Sequence, residues 1–230
     1  MNILAVETSS KKLCVGILNH KGRILEYNLD SGQRHTELIL PTIKRALKNF
    51  KLGFRGIDYF AVGLGPGSFT GLRIGLATIK GFAAALEKPV IGLPTLDVIA
   101  HNALPAKSKI ICPLIDARRN LLFTALYEVA REKLKRISPY LLIDLEGLFK
   151  IIKPSDSVAF LGDATMLYQP RLKQKIKRCL ILEEDAWYPK AGNLIKLAGD
   201  LISKGKFKDA ARIKPIYLYP KECQIRNIKS

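Results

Sequence analysis

The chain has 230 residues, 48% of them hydrophobic, and carries 38 Lys and Arg against 20 Asp and Glu, a formal charge of +18. That length can bury a proper core, and the excess of positive charge favours polyanionic partners such as RNA. The opening MNILAVETSS lacks the basic start, apolar middle and small-residue cleavage site of a secretory signal, and Lys80 and Glu87 interrupt the most apolar region, so the expectation is a soluble, cytoplasmic protein with no membrane contact.

Three short segments rich in β-formers, NILAVET (2–8), KLCVGILNH (12–20) and RILEYNLD (23–30), are separated by polar or glycine-containing turns and predict an antiparallel meander. A helix follows over about 36–50, where Ile39, Ile43, Leu47 and Phe50 recur at helical spacing. Leu38 and Leu40 give this helix more apolar circumference than a one-sided surface helix needs, and Pro41 removes one of its internal hydrogen bonds. YFAVGLG (59–65) reads as a buried strand, about 70–86 as a second helix, PVIGL (89–93) as a strand and TLDVIAHNA (95–103) as a third helix.

From residue 109 the pattern restarts. KIICPLID (109–116), LLFTALYEV (121–129) and KLKRISPYLL (133–142) read as strands, LEGLFKII (145–152) as a helix, SVAFLG (157–162) and RCLIL (178–182) as strands, and AGNLIKLAGDLISKG (191–205) as a helix, with QIRNIKS a polar tail. The first strand of one half ends in Glu7 and that of the other in Asp116, 109 positions later. Two copies of one strand and helix pattern predict a duplicated two-lobe α/β fold of the actin and sugar-kinase type, divided into residues 1–104 and 105–230. The second lobe is the more basic, with 25 cationic against 13 acidic residues where the first has 13 against 7. In such a fold the turns after the two first strands face a common cleft, which nominates Glu7, Thr8, Ser9, Asp116 and Arg118 as cleft residues able to meet a nucleotide. The alternative is that they supply only polarity and an inter-lobe ion pair from Glu7 or Asp116 to Arg118.

The segment GLGPGSFTGLRIG (63–75) matches neither the GxxxxGK[ST] phosphate loop nor the GxGxxG dinucleotide fingerprint. A glycine-rich turn into a helix still suits an anion in general, through its backbone N–H groups and the helix dipole. A structural reading explains more residues: Pro66 and Gly67 form a tight turn, Ser68 or Thr70 caps the helix, and small residues continue along it at Gly71, Gly75, Ala77, Gly81 and Ala84. Helix-interior glycine costs about 1 kcal/mol relative to alanine, so a close neighbour must offset it. The expectation is a second chain docking on this bare face and on the over-apolar helix beside it, although burial of both faces within one chain would serve equally. Four cysteines are scattered, no two at metal or redox spacing, and His20 and His101 have no partner at ligand spacing.

ILAVETSS, RHTELILP, VGLGPGSFTGLRIGLATIKGFA, DARR and PIYLYP resemble the TsaB family, also called YeaZ, of bacterial tRNA threonylcarbamoyladenosine synthesis. The resemblance runs through most of the chain; residues 129–212 match no motif of it, and DARRNLLFTALYE departs from the acidic residue the family usually carries soon after DAR. It implies an actin-like (ASKHA, RNase H-like) two-lobe fold in which each lobe is a mixed sheet with an antiparallel meander and flanking helices. It implies also a non-catalytic scaffold that binds and stabilises a catalytic paralogue, TsaD. The paralogue transfers threonylcarbamoyl to N6 of the adenosine beside the anticodon and holds a metal through two histidines four apart on its first helix; here His35 is followed at that distance by Ile39, so no catalytic or metal residue is expected. The implied partners are a TsaD-like subunit, a TsaE-like ATPase, a second copy of the chain when alone, and tRNA through the complex. No cofactor is required, with ATP or ADP and magnesium admitted in the complex. The candidate partner face comprises His35, Leu38, Leu40, Pro41, Gly71, Gly75, Thr78 and Phe82. The competing function is an ATP-binding or weakly hydrolysing actin-like enzyme that uses the interlobe cleft.

Overall fold

The computed structural model describes residues 1–32, 34–104, 107–130 and 133–219; the expected polar tail and the last residue of PIYLYP lie outside them. The first lobe runs β1 (Ile3–Glu7), β2 (Lys12–Leu18), β3 (Ile24–Asp30), α1 (His35–Asn49), β4 (Tyr59–Gly63), α2 (Phe69–Ala85) and β5 (Val90–Leu93). Its sheet is ordered β3-β2-β1-β4-β5, with β1 antiparallel to β2 and parallel to β4. Every residue of β1 is buried, because helices cover both faces of the sheet, and this is why ILAVE is an unbroken apolar run up to its terminal carboxylate.

The second lobe runs β6 (Ile110–Arg118), β7 (Leu121–Thr124), β10 (Leu141–Asp144), α4 (Leu145–Ile151), β11 (Ser157–Leu161), α5 (Thr165–Lys175) and β12 (Arg178–Ile181), ordered β10-β7-β6-β11-β12. Counted within the lobe, that is third, second, first, fourth, fifth, the order of the first lobe. The duplication read from the sequence is therefore a duplication of topology, and the chain has the two-lobe actin-like fold. A hairpin, β8 (Tyr127–Ala130) and β9 (Lys133–Arg136), is inserted between β7 and β10.

The expected strand LLFTALYEV is in fact two. Its first half pairs with β6 at Leu114–Arg118 and its second half with β6 at Ile110 and Ile111, so the chain breaks at Ala125 and Leu126 to follow one long neighbour. KLKRISPYLL likewise divides at Ser138–Pro139, where the Ser138 hydroxyl accepts the Leu126 N–H at 2.9 Å. Helix α5 has no counterpart in the sequence reading, since Pro170 and a run of Lys, Arg and Gln hide its two buried residues, Thr165 and Leu172.

Each lobe's closing helix reaches across to the other. In α3 (Thr95–Ala100), Leu96, Ile99 and Ala100 pack with Ile111, Ile115 and Phe123 of the second sheet. In α6 (Ala191–Ser203), Leu194, Ile195 and Ala198 pack with Ile3, Ala5, Ala61 and Ile91 of the first. This exchange fixes the lobes against each other and sets the shape of the cleft between them.

Candidate functional site

The glycine segment closes on its own chain. A Cβ built on Gly71 would stand 2.0 Å from the Thr8 carbonyl oxygen, one on Gly75 would stand 2.3 Å from Thr8 Oγ1, and one on Gly67 would stand 2.4 Å from the Ser9 carbonyl oxygen. The absence of side chains lets the start of α2 lie directly on the turn after β1, and hydrogen bonds exploit the approach. Thr8 Oγ1 donates to the Gly71 carbonyl at 2.7 Å, the Ser68 N–H donates to the Ser9 carbonyl at 2.7 Å, and Ser68 Oγ caps α2 by accepting the Gly71 N–H at 3.2 Å. Gly71 and Gly75 are buried by this contact, which corrects the expectation that they present a bare face to a second chain.

Beneath the turn lies a fully buried carboxylate. Glu7 accepts the Ser9 N–H at 2.7 Å and the Thr95 hydroxyl at 2.8 Å, and a Cβ on Gly63 would overlap it at 1.9 Å. Thr95 Oγ1 also lies 3.0 Å from Ser9 Oγ and accepts the Gly65 N–H at 3.2 Å, so one hydroxyl joins the β1 turn, the glycine turn and the start of α3. Burial pushes the Glu7 carboxyl above its ordinary pKa, against the pull of its Ser9 and Thr95 hydrogen bonds. Glu7 and Thr8 thus sit under the cleft floor and not in the cleft, contrary to expectation; Ser9 does line it.

The cleft has a volume of about 520 Å³. Ser9, Ser68 and Lys11 approach it from the first lobe, and Asp116, Arg118 and Asp163 from the second. Arg118, Arg119 and Asn120 all have positive φ and turn β6 sharply into β7, leaving both arginines exposed and Arg118 at the cleft. The Asp116 carboxylate accepts the Arg118 N–H at 2.8 Å and pairs with its guanidinium at 3.1 Å, so the expected ion pair forms within the second lobe and not between the lobes. Asp163, at the end of β11, accepts the Asp116 N–H at 2.9 Å, and burial raises its pKa. Lys11 is already engaged by Glu184 at 3.3 Å and by the Tyr188 ring at 4.9 Å. The chain's last described residues also enter the cleft: the Ile216 N–H donates to the Leu64 carbonyl at 2.8 Å, Tyr217 packs on Phe69, and the Tyr219 hydroxyl donates to the Ala117 carbonyl.

Sequence reasoning missed Thr95, Asp163, Tyr217 and Tyr219. A threonine directly after the proline that starts a helix, and an aspartate directly after the glycine that ends a central strand, were the available signals for the first two. PIYLYP carries part of the family resemblance, but nothing in its spacing assigns Tyr217 to Phe69 of the first lobe or Tyr219 to Ala117 of its own.

On α1 and α2, part of the expected partner face does point outward. Leu40 is 45% exposed and Pro41 is exposed beside it, while α2 turns Ala77, Gly81 and Ala84 to solvent. An added Cβ at Gly81 meets nothing within 4 Å. Leu38, Thr78 and Phe82 are half-buried, with Leu38 and Phe82 packed against the lobe's core. His35 is 5% exposed, its ring within 3.3 Å of Ser31 Oγ, so it faces inward and belongs to neither a partner face nor an exposed cap. Ile39, one turn later, is also in the core. No described group of three or more His, Cys, Asp or Glu is placed to hold a metal ion, and no described helix is long and apolar enough to cross a membrane.

Residues 29–211 match the family model described as TsaD: tRNA N6-adenosine threonylcarbamoyltransferase. The chain is 28% identical over its full length to the tRNA threonylcarbamoyladenosine biosynthesis protein TsaB of Bacillus subtilis, covering 99% of that protein. It is 33% identical to the TsaB of Escherichia coli over 129 residues, 56% of this chain and 55% of that one. Among solved structures, YeaZ from Pseudomonas aeruginosa superposes with a TM-score of 0.83 at 26% identity, over 94% of this chain and 99% of that one.

Proposed function

From the premise that this chain belongs to the TsaD-type tRNA N6-adenosine threonylcarbamoyltransferase family and has TsaB proteins as its relatives, we propose that it is a non-catalytic subunit of threonylcarbamoyladenosine synthesis. In this reading it binds and stabilises a TsaD-like catalytic paralogue. The observation that carries the reading is the outward surface of two neighbouring helices, where Leu40 and Pro41 are exposed on α1 and Ala77, Gly81 and Ala84 on α2. Exposed apolar side chains next to a bare helix surface suit the close approach of another helix pair. A second copy of the chain uses the same face when the paralogue is absent, and a TsaE-like ATPase and tRNA join through the complex.

The chemistry of the cleft supports an absence of catalysis by this chain. The first helix turns both His35 and Ile39 into the core, so it offers no ligand pair toward the cleft. A nucleotide's phosphates would meet two carboxylates, Asp116 and Asp163, while Lys11 and Arg118 are held by acids of their own. Neither cleft-facing first turn contains a glycine to open its backbone to phosphate. We therefore assign the chain no catalytic step and no required cofactor of its own; ATP or ADP with magnesium enters this reading through the complex.

Two substitutions test the docking face. Leu40→Asp is expected to change folding stability by no more than about 0.5 kcal/mol, because the residue is largely exposed, yet to weaken pairing with the paralogue at least tenfold. Gly81→Arg is expected to be tolerated or slightly stabilising, since the site is open and arginine is the better helix former, and also to block pairing. Co-purification and titration with the paralogue read both. Wild-type affinity in the two variants would remove the assignment.

A further inference from the structure

A second surface adjoins the docking face. Between the outer edge of β3 and the end of α1 runs an open groove of about 760 Å³, lined by Arg23, Arg45, Lys48 and Lys51 together with Tyr27 and Phe50. None of its lining residues is acidic. All four cations are exposed, and none makes an ion pair with a described carboxylate. The groove beside the end of α2 is less one-sided, since Glu87 and Asp209 share it with Lys80, Lys88, Lys208 and Arg212.

The end of a helix attracts cations to its exposed carbonyls, which accounts for Lys48 and Lys51. It does not account for Arg23, which arrives from the β2–β3 turn, nor for Arg45, whose guanidinium lies 5.3 Å from the centre of the Tyr27 ring. Asn49 Nδ2 donates to the Tyr27 hydroxyl at 2.8 Å, so the ring that forms one wall is held in place. Four cations free of described carboxylate partners, from the β2–β3 turn, α1 and the segment after it, converge on a trough with a fixed aromatic wall and present a surface complementary to a run of phosphates with bases or sugars alongside. The strand edge beside it adds unpaired backbone donors, as β3 is the last strand of its sheet.

We propose that this groove binds the phosphate backbone of RNA, and that it is the place where this chain touches the tRNA handled by the complex; the identity of the RNA rests on the function proposed above. Arg45 and Lys48 lie on the helix that carries Leu40 and Pro41, so RNA seated here runs alongside the docked paralogue.

The test is the salt dependence of tRNA binding by the full chain, measured for wild type and for the triple variant Arg45→Gln, Lys48→Gln and Lys51→Gln. Each phosphate contact removed lowers the slope of log affinity against log salt by about 0.7–0.9, so the variant should lose about 2 from the slope and at least about tenfold in affinity at 0.1 M salt. A control with Lys173→Gln, Lys175→Gln and Lys177→Gln, equal in charge but on the second lobe, should leave the slope unchanged. The proposal is overturned if wild type fails to bind tRNA at low salt, if the control lowers the slope as much as the groove variant does, or if polyglutamate of matched charge competes as well as tRNA. Pairing of the groove variant with the paralogue is read separately. If wild type does not pair, the proposed function fails; if pairing is intact and RNA binding is unaltered, only the groove assignment fails.

Discussion

Gly71→Ala is expected to destabilise the chain by roughly 2–3 kcal/mol, lowering its thermal midpoint by about 5–10 °C, although alanine is the better helix former. The new methyl would stand 2.0 Å from the Thr8 carbonyl oxygen and 3.1 Å from the carbonyl carbon, both backbone atoms that cannot rotate aside. Either the start of α2 lifts or the β1 turn retreats. Both movements stretch the bond from Thr8 Oγ1 to the Gly71 carbonyl and the bond from the Ser68 N–H to the Ser9 carbonyl. Each such bond is worth about 1 kcal/mol net, and overpacking adds about 1–3 kcal/mol, which outweighs the gain in helix propensity of about 1 kcal/mol. Gly81→Ala, ten residues along the same helix, meets nothing within 4 Å and should raise stability by up to about 1 kcal/mol. Circular dichroism melts of the two variants make the comparison, and equal midpoints would show that α2 does not rest on the turn.

The contrast also decides how pairing experiments are read. A bulky residue at Gly75 meets Thr8 Oγ1 at 2.3 Å, so a Gly75 variant that no longer pairs reports on folding rather than on docking. Gly81, with open space beside it, is the position in that helix where added bulk reaches only a partner.

These glycines show where the sequence was readable and where it was not. Their number and spacing required a close neighbour along α2, and the structure supplies one. Spacing along a helix says that a face is bare; it does not say which surface covers that face, because the covering residue, Thr8, is 63 positions away from Gly71. The two-lobe architecture was legible for a different reason: strands buried on both sides must be continuous apolar runs, and the halves repeat the same runs in the same order. The break within LLFTALYEV was hidden because it answers to the length of β6, a property of the partner strand. His35 and Ile39 share one helix face, as their spacing implied, and that face turned out to be the core. Exposure of Leu40 followed from the excess of apolar residues on α1, although Leu38, named with it, packs against the core; the cleft roles of Asp163 and Tyr219 depend on partners 47 and 102 positions away, Asp116 and Ala117.

The largest pH-dependent effect should follow from Thr95→Val. Valine keeps the shape of threonine but removes the hydroxyl that donates to Glu7, accepts from Gly65 and touches Ser9. Glu7 is buried and its folded pKa is raised, so the folded chain holds this proton more tightly than the unfolded chain does. The stability it contributes is complete below the unfolded pKa and is lost as pH rises through the folded one. Taking away a donor to the charged form raises the folded pKa further, and with it the amount lost at high pH. Thr95→Val should therefore cost roughly 2–4 kcal/mol to the form with Glu7 ionised, since that carboxylate and a backbone N–H lose their partner, and less to the form with Glu7 protonated, so the penalty should be larger at pH 8 than at pH 5. Urea unfolding of wild type and variant at the two pH values measures the difference, and Asp163, also raised, cancels between them. In a Glu7→Gln background the amide can donate to its surroundings and does not titrate, so the penalty of Thr95→Val should become independent of pH. A penalty that is equal at both pH values with Glu7 present, or one that keeps its pH dependence after Glu7→Gln, would show that this carboxylate is not what joins the β1 turn to the glycine turn.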